Sequence, residues 1–173
     1  MNISKAIENY ILTYLSKPNT RFGNNSQPCP FAKKALIENK IEILEISDIK
    51  DFWATVVEQC EKFTGDKDVV VIACNNSSIL LQELIGGCDA LNQLFSYQAK
   101  DLWLLSSENF ANSMVLIQKL SELDDASKIL EDKGYYNLYP KDSYQKHIID
   151  RRKIRQKSTL MVDKNLNKQY TKQ

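Results

Sequence analysis

Apolar positions recur at helical spacing over residues 3–16, where Ile3, Ile7, Tyr10, Ile11, Tyr14 and Leu15 share a face. Lys17-Pro18 ends that pattern, and residues 18–28 are a dense cluster of turn formers that reads as an ordered loop. Pro30 sits where the first turn of a helix through Glu38 would begin, a position that tolerates proline. Apolar residues at 41, 43, 44 and 46 then predict a strand. Ser47 and Asp48 can cap a following helix with the stripe Phe52, Trp53, Val56, Val57, Cys60 and Phe63, which Gly65 ends. Residues 69–74 are β-branched and apolar without alternation, as in a strand buried on both faces. A helix from about Ser77 turns Leu80, Leu81, Leu84, Cys88, Leu91 and Phe95 inward. Strands over 101–106 and 113–120 follow, joined by a hairpin or a wider turn. Next comes a helix over Ser121–Lys133 with Gly134 at its end, and Tyr139-Pro140 starts a last helix.

The predicted order is α-α-β-α-β-α-β-β-α-α. Strands alternating with helices imply a sheet with a parallel portion, and the terminal strand pair adds an antiparallel edge. The fold class is α/β: a single domain over 1–157 with a four-stranded mixed sheet, packed helices, and extra N-terminal and C-terminal helices. Residues 158–173 read as a basic, disordered tail.

Composition agrees with one domain: 173 residues, 43% hydrophobic and 26% charged. The longest apolar runs, 69–74 and 102–105, are far too short to span a bilayer. No signal-peptide apolar block follows Met1, so a cytoplasmic protein with no membrane partner is expected. Asn24-Asn25-Ser26 therefore carries no meaning as a glycosylation triplet. Four cysteines at 29, 60, 74 and 88 form no C-x-x-C pair, so reduced thiols are expected. A single histidine, His147, argues against a Cys/His zinc site, and no metal is assigned.

Charge is unevenly spread. Residues 141–173 hold ten Lys/Arg against three Asp, a net of +7, which leaves −6 for the first 140 residues. Arg151, Arg152, Lys153 and Arg155 are thus candidates to meet an acidic protein, a nucleic acid, or the acidic face of the chain itself. With Tyr135, Tyr136 and Tyr139 nearby, stacking plus charge would suit single-stranded nucleic acid. A merely solvated basic face is the bland alternative. Trp53 and Trp103 fall on predicted core faces and read as packing.

The most distinctive segment is Gln27-Pro28-Cys29-Pro30-Phe31-Ala32-Lys33-Lys34. A cysteine between a polar loop and a helix start meets unpaired N–H groups, which favour thiolate, and Lys33 and Lys34 one turn on would add to that field. Such a thiolate could serve as nucleophile, redox centre or metal ligand. The alternative is a buried structural cysteine. His147 would make a nucleophile–base pair with Cys29 if the two met, and otherwise reads as a surface histidine. Gly86 and Gly87 fall inside a predicted helix, where each costs about 1 kcal/mol relative to alanine. Either the helix restarts near Asp89 and leaves a small anion site at Gly86, Gly87, Cys88 and Asp89, or a close neighbour requires the missing side chains.

Cys29-Pro30-Phe31-Ala32 resembles the marker of an uncharacterised bacterial family with a C-P-F-A segment. That family has a helix before the motif, lysines after it and an α/β body. The resemblance extends loosely from about residue 5 to residue 130 and implies kinship without an activity. A partial resemblance to glutaredoxins rests on Cys29-Pro30-Phe31 with the helix and strand after it, and on Ile85-Gly86-Gly87-Cys88-Asp89-Ala90-Leu91. It implies a one-thiol form, since Ala32 stands at the second cysteine, with glutathione bound at the glycine-rich turn. The chain departs from that family in having no predicted strand before Cys29 and prolines only at 18, 28, 30 and 140. The Cys29-Pro30 dipeptide is also similar to thiolate haem ligands of regulatory proteins, with His147 as partner. No cofactor is assigned, and glutathione and haem stay open. The expected function is thus a small thiol-dependent redox or thiol-transfer protein centred on Cys29, or a non-enzymatic module binding through its basic C-terminal segment.

Overall fold

The computed structural model describes residues 2–20, 26–74, 79–107, 110 and 112–156. The predicted basic tail lies outside them, as do parts of the loop at 18–28 and of the turn at 107–113.

Strand β1 (Ile41–Ile46) pairs in parallel with β2 (Val69–Cys74), Ile41 opposite Val69 and Ile46 opposite Cys74. On its other side β2 pairs antiparallel with β4 (Met114–Gln118), and β4 pairs antiparallel with β3 (Trp103–Ser106). The sheet order is β1-β2-β4-β3, so the mixed four-stranded sheet predicted from the alternation of elements is present. The unalternated run 69–74 occupies an inner position, where both faces of a strand are covered. Short β3 and half-exposed β1 lie at the edges.

Period-two alternation divides the sheet into two packed faces. One face presents Val70, Ile72, Cys74, Leu104, Val115 and Ile117. Helices α3 (Phe52–Lys62) and α4 (Leu81–Tyr97) close over it with Phe52, Val56, Cys60, Leu84, Cys88 and Phe95. Asp48 opens α3 through a short 3-10 turn, its side chain accepting from the Lys50 N–H at 3.0 Å. The opposite face presents Val71, Ala73, Met114 and Leu116, met by Ile3, Ile7 and Ile11 of the N-terminal helix and by Ala32.

That N-terminal helix, α1, is α-helical over Ile3–Tyr10 and widens to a π turn over Ile11–Leu15. Helix α2 is shorter than expected, Ala32–Ile37. Pro30 and Phe31 form a turn closed by the Ala32 N–H on the Cys29 carbonyl at 3.4 Å, so proline precedes the helix. Helix α5 (Leu120–Asp132) ends as predicted at Gly134, whose φ of +69° is the left-handed conformation glycine adopts without strain. The C-terminal helix, α6, starts over Lys141–Tyr144, passes through a second π turn over Gln145–Asp150 and continues over 151–156. The predicted order of helices and strands is therefore the order in the structure.

Helix α4 runs unbroken through Gly86 and Gly87. A Cβ at Gly87 would stand 2.2 Å from the Trp53 ring, whereas at Gly86 it would meet nothing within 4 Å. Opposite signs are expected for adjacent substitutions. Gly86→Ala should stabilise by about 0.5–1 kcal/mol through helix propensity. Gly87→Ala should destabilise by about 1–3 kcal/mol, because the rigid indole, edge-on to Phe52, must shift. Urea midpoints of the two variants check this; a stabilising Gly87→Ala would refute the close-packing account.

Candidate functional site: an apolar cleft with Cys29 in its wall

Helices α1, α5 and α6 do not close on the second face of the sheet as tightly as α3 and α4 do on the first. Two adjoining cavities remain. The first, of about 290 Å³, lies over Val69, Val71 and Leu116 with Ile7 and Ile11 beside it. The second, of about 310 Å³, extends toward Tyr135, Tyr136, Tyr139, His147 and Arg151. Tyr10, Cys29, Met114, Leu116, Leu123 and Ala126 line both, so Cys29 sits where they join.

The loop carrying Cys29 is held at three points. The Cys29 N–H donates to the Leu15 carbonyl at 3.0 Å, in the π turn of α1. The Cys29 carbonyl accepts from Ala32, and the Tyr135 hydroxyl donates to the Gln27 carbonyl. Tyr135 belongs to a ring cluster with Tyr136 and Tyr139, centroids 5.1 and 6.1 Å away. The aromatic residues that suggested base stacking thus pack on one another and on the cysteine loop.

Two opposing effects act on the Cys29 thiol. Burial pushes its pKa up, and the backbone N–H groups of Phe31 and Ala32, which bond the sulfur, pull it down. Burial is the larger, so the thiol is held above its ordinary pKa. Helix α2 has only six residues, so its dipole is small. Lys33 and Lys34 are exposed, and Lys34 pairs with Glu38 at 3.8 Å. The expected thiolate-favouring field is therefore present only as the two N–H groups, and burial outweighs it.

The other predicted site residues do not join Cys29. Gly86, Gly87, Cys88 and Asp89 belong to α4, on the opposite face of the sheet. Being mid-helix, they have their N–H groups in the helix ladder, and they diverge: Gly86 and Asp89 face solvent, Gly87 abuts Trp53, and Cys88 enters the core. Burial, with Asp89 adding to it, pushes the Cys88 thiol up to about 12. The two segments that carry the glutaredoxin resemblance are separated by the sheet. His147, by contrast, is half-buried and lines the second cavity together with Cys29.

The three arginines of α6 are already matched by acids of α5. Arg151, only 2% exposed, bonds Asp124 at 2.9 Å, the Ser127 hydroxyl at 2.7 Å and the His147 carbonyl at 2.7 Å. Arg152 grips Glu131 through two bonds of 3.0 and 2.8 Å, which together with Tyr144 hold that carboxyl below its ordinary pKa. Arg155 reaches Asp124 at 2.6 Å, and Lys153 reaches Asp150 at 3.3 Å. Of the expected anionic partners, the chain's own acidic face is the one Arg151, Arg152 and Arg155 meet, while Lys153 pairs within its own helix. A signal for this was present: Asp124 and Glu131 stand seven apart on α5, and Arg151 and Arg155 four apart on α6, so each pair shares a helix face.

Among the described residues no helix is long and apolar enough to cross a membrane, and no cluster of His, Cys, Asp and Glu is arranged to hold a metal ion. Comparison of the chain with family models, with curated proteins and with solved structures gives no match.

Proposed function

We propose that the chain is a small thiol-dependent protein in which Cys29 is the reacting group and the apolar cleft holds the molecule it meets. One observation carries this: of the four cysteines, Cys29 alone lines the cleft between the sheet and α1, α5 and α6. Cys60, Cys74 and Cys88 are packed in the core of the other face, 3%, 0% and 3% exposed.

A raised pKa means that Cys29 is a protonated thiol at neutral pH and gains thiolate only as the pH climbs past the usual range near 8.5. With iodoacetamide on the folded protein, Cys29 should label first. Its rate should rise about tenfold per pH unit from 7 and continue to rise beyond 9. An apolar maleimide should outpace charged iodoacetate at Cys29, because the sulfur is reached through the cleft. Equal, slow labelling of all four cysteines, followed by mass spectrometry of peptides, would sink the proposal.

A further inference from the structure

We propose that Tyr135 is a positioning residue for Cys29: by bonding the Gln27 carbonyl, its hydroxyl pins the cysteine loop to the cleft wall and keeps water from the sulfur. This rests on the reading of Cys29 as the reacting group. It adds the residue, far along the chain, that sets how readily that group reacts.

The bond joins residues 108 positions apart. On the side of the N-terminal helix the loop is held by backbone bonds, the Asn19 N–H to the Ser26 carbonyl and the Cys29 N–H to the Leu15 carbonyl, both at 3.0 Å. Gln27 and Pro28 stand between those two ties, and proline has no N–H to add a third. The Tyr135 hydroxyl holds this stretch from the opposite wall. Tyr135, Pro28 and Cys29 all line the second cavity, so the tie and the thiol border the same space.

The tyrosine has little freedom of its own. Gly134, left-handed at the end of α5, delivers it into the 3-10 turn Tyr135–Leu138. Its ring stands edge-on to Tyr136, with 87° between the planes, and is tilted 39° to Tyr139. The hydroxyl proton is spent on Gln27, so Tyr135 is not an acid toward the sulfur and acts on Cys29 through the loop. Burial pushes the Tyr135 pKa up, which keeps it a donor while the thiol titrates. Burial is also the larger influence on Cys29, against the N–H groups of Phe31 and Ala32. Releasing Gln27 admits water to the sulfur and leaves those two N–H groups in place. Loss of the Tyr135 hydroxyl therefore makes Cys29 more reactive.

The test labels the full chain and its Tyr135→Phe variant, which keeps the ring and deletes the hydroxyl, with iodoacetamide at neutral pH. Cys29 should react about threefold to tenfold faster in the variant, as a pKa lower by roughly half to one unit gives. Cys60, Cys74 and Cys88, in the core of the other face, should stay as slow as before. The ultraviolet absorbance of thiolate near pH 8.5, taken as the difference from the matching Cys29→Ser proteins, should rise in the variant. A merely structural hydroxyl would speed all four thiols together through lost stability and leave that absorbance unaltered. Tyr144→Phe removes a hydroxyl from the same ring cluster, one bonded to Glu131 and not to the loop, and should leave the Cys29 rate as it was. An unchanged or slower Cys29 in Tyr135→Phe would overturn the proposal. Joint acceleration of all four cysteines, or equal acceleration of Cys29 in Tyr144→Phe, would overturn it too. A parent protein in which Cys29 does not label ahead of the others sinks the thiol reading and this inference with it. A selective parent that Tyr135→Phe matches sinks this inference alone.

Discussion

Arg151→Ala is expected to destabilise the fold by about 3–5 kcal/mol, the cost of breaking a buried ion pair from one side. The arginine fills a position among α5 and α6 with 2% exposure and spends its donors on three groups at once. Without it, Asp124, itself only 12% exposed, keeps a single cation in Arg155, and the Ser127 hydroxyl and the His147 carbonyl each lose a donor. For a chain of this length the melting temperature should fall on the order of 10 °C. Arg151→Lys should not restore it, because an ammonium cannot reproduce the guanidinium fork that reaches Asp124 and Ser127 together. Arg151→Ala combined with Asp124→Ala should lose clearly less than the sum of the two single variants, since the orphaned charge is gone. Thermal and urea denaturation of the four variants decide it. A loss under 1 kcal/mol for Arg151→Ala would show that the pair is not the hinge between α5 and α6.

Asn92→Leu should cost about 2–4 kcal/mol although the two side chains have the same branched heavy-atom skeleton. The Asn92 amide donates to the Leu104 carbonyl at 2.9 Å and accepts from the Leu104 N–H at 2.7 Å, binding α4 to β3. Leucine leaves both backbone groups buried and unpaired, at about 1–3 kcal/mol each, offset in part by extra apolar contact. The effect should be local: amide exchange at Leu104 and its neighbours in β3 should accelerate far more than in β2. Uniform acceleration across the sheet would point instead to general loosening of α4.

Much of the architecture was legible in the chain because it depends on local periodicity. The unalternated run 69–74 marked an inner strand, and Gly134 marked the end of α5, since each is a property of a few adjacent residues. The pairing of β2 with β4, rather than with β3, depends on how far α4 carries the chain past β2 before β3 begins, which no local pattern encodes. The π turns over Ile11–Leu15 and Gln145–Asp150 were not legible either, because one extra residue per turn barely disturbs a helical apolar stripe. Both border the cleft. Cys29 stood out as a residue, yet its setting did not: a cavity is a shortfall in packing between distant elements. Arg151 was counted with a basic stretch because its type is rarely buried, and only the matching acid spacing on α5 hinted otherwise.

Asn92 has a second consequence, for contacts between molecules. The outer rim of a sheet is a template on which another copy can add a strand. At Leu104, in the middle of the four-residue β3, the side chain of Asn92 already takes the N–H and the carbonyl that an incoming strand would need. At the other rim, β1 carries Glu42 and Glu45, one toward each face, so a second β1 laid alongside would bring like charges into register. The sheet is thus guarded at both rims, by occupied hydrogen bonds at Leu104 on one and by repulsion on the other.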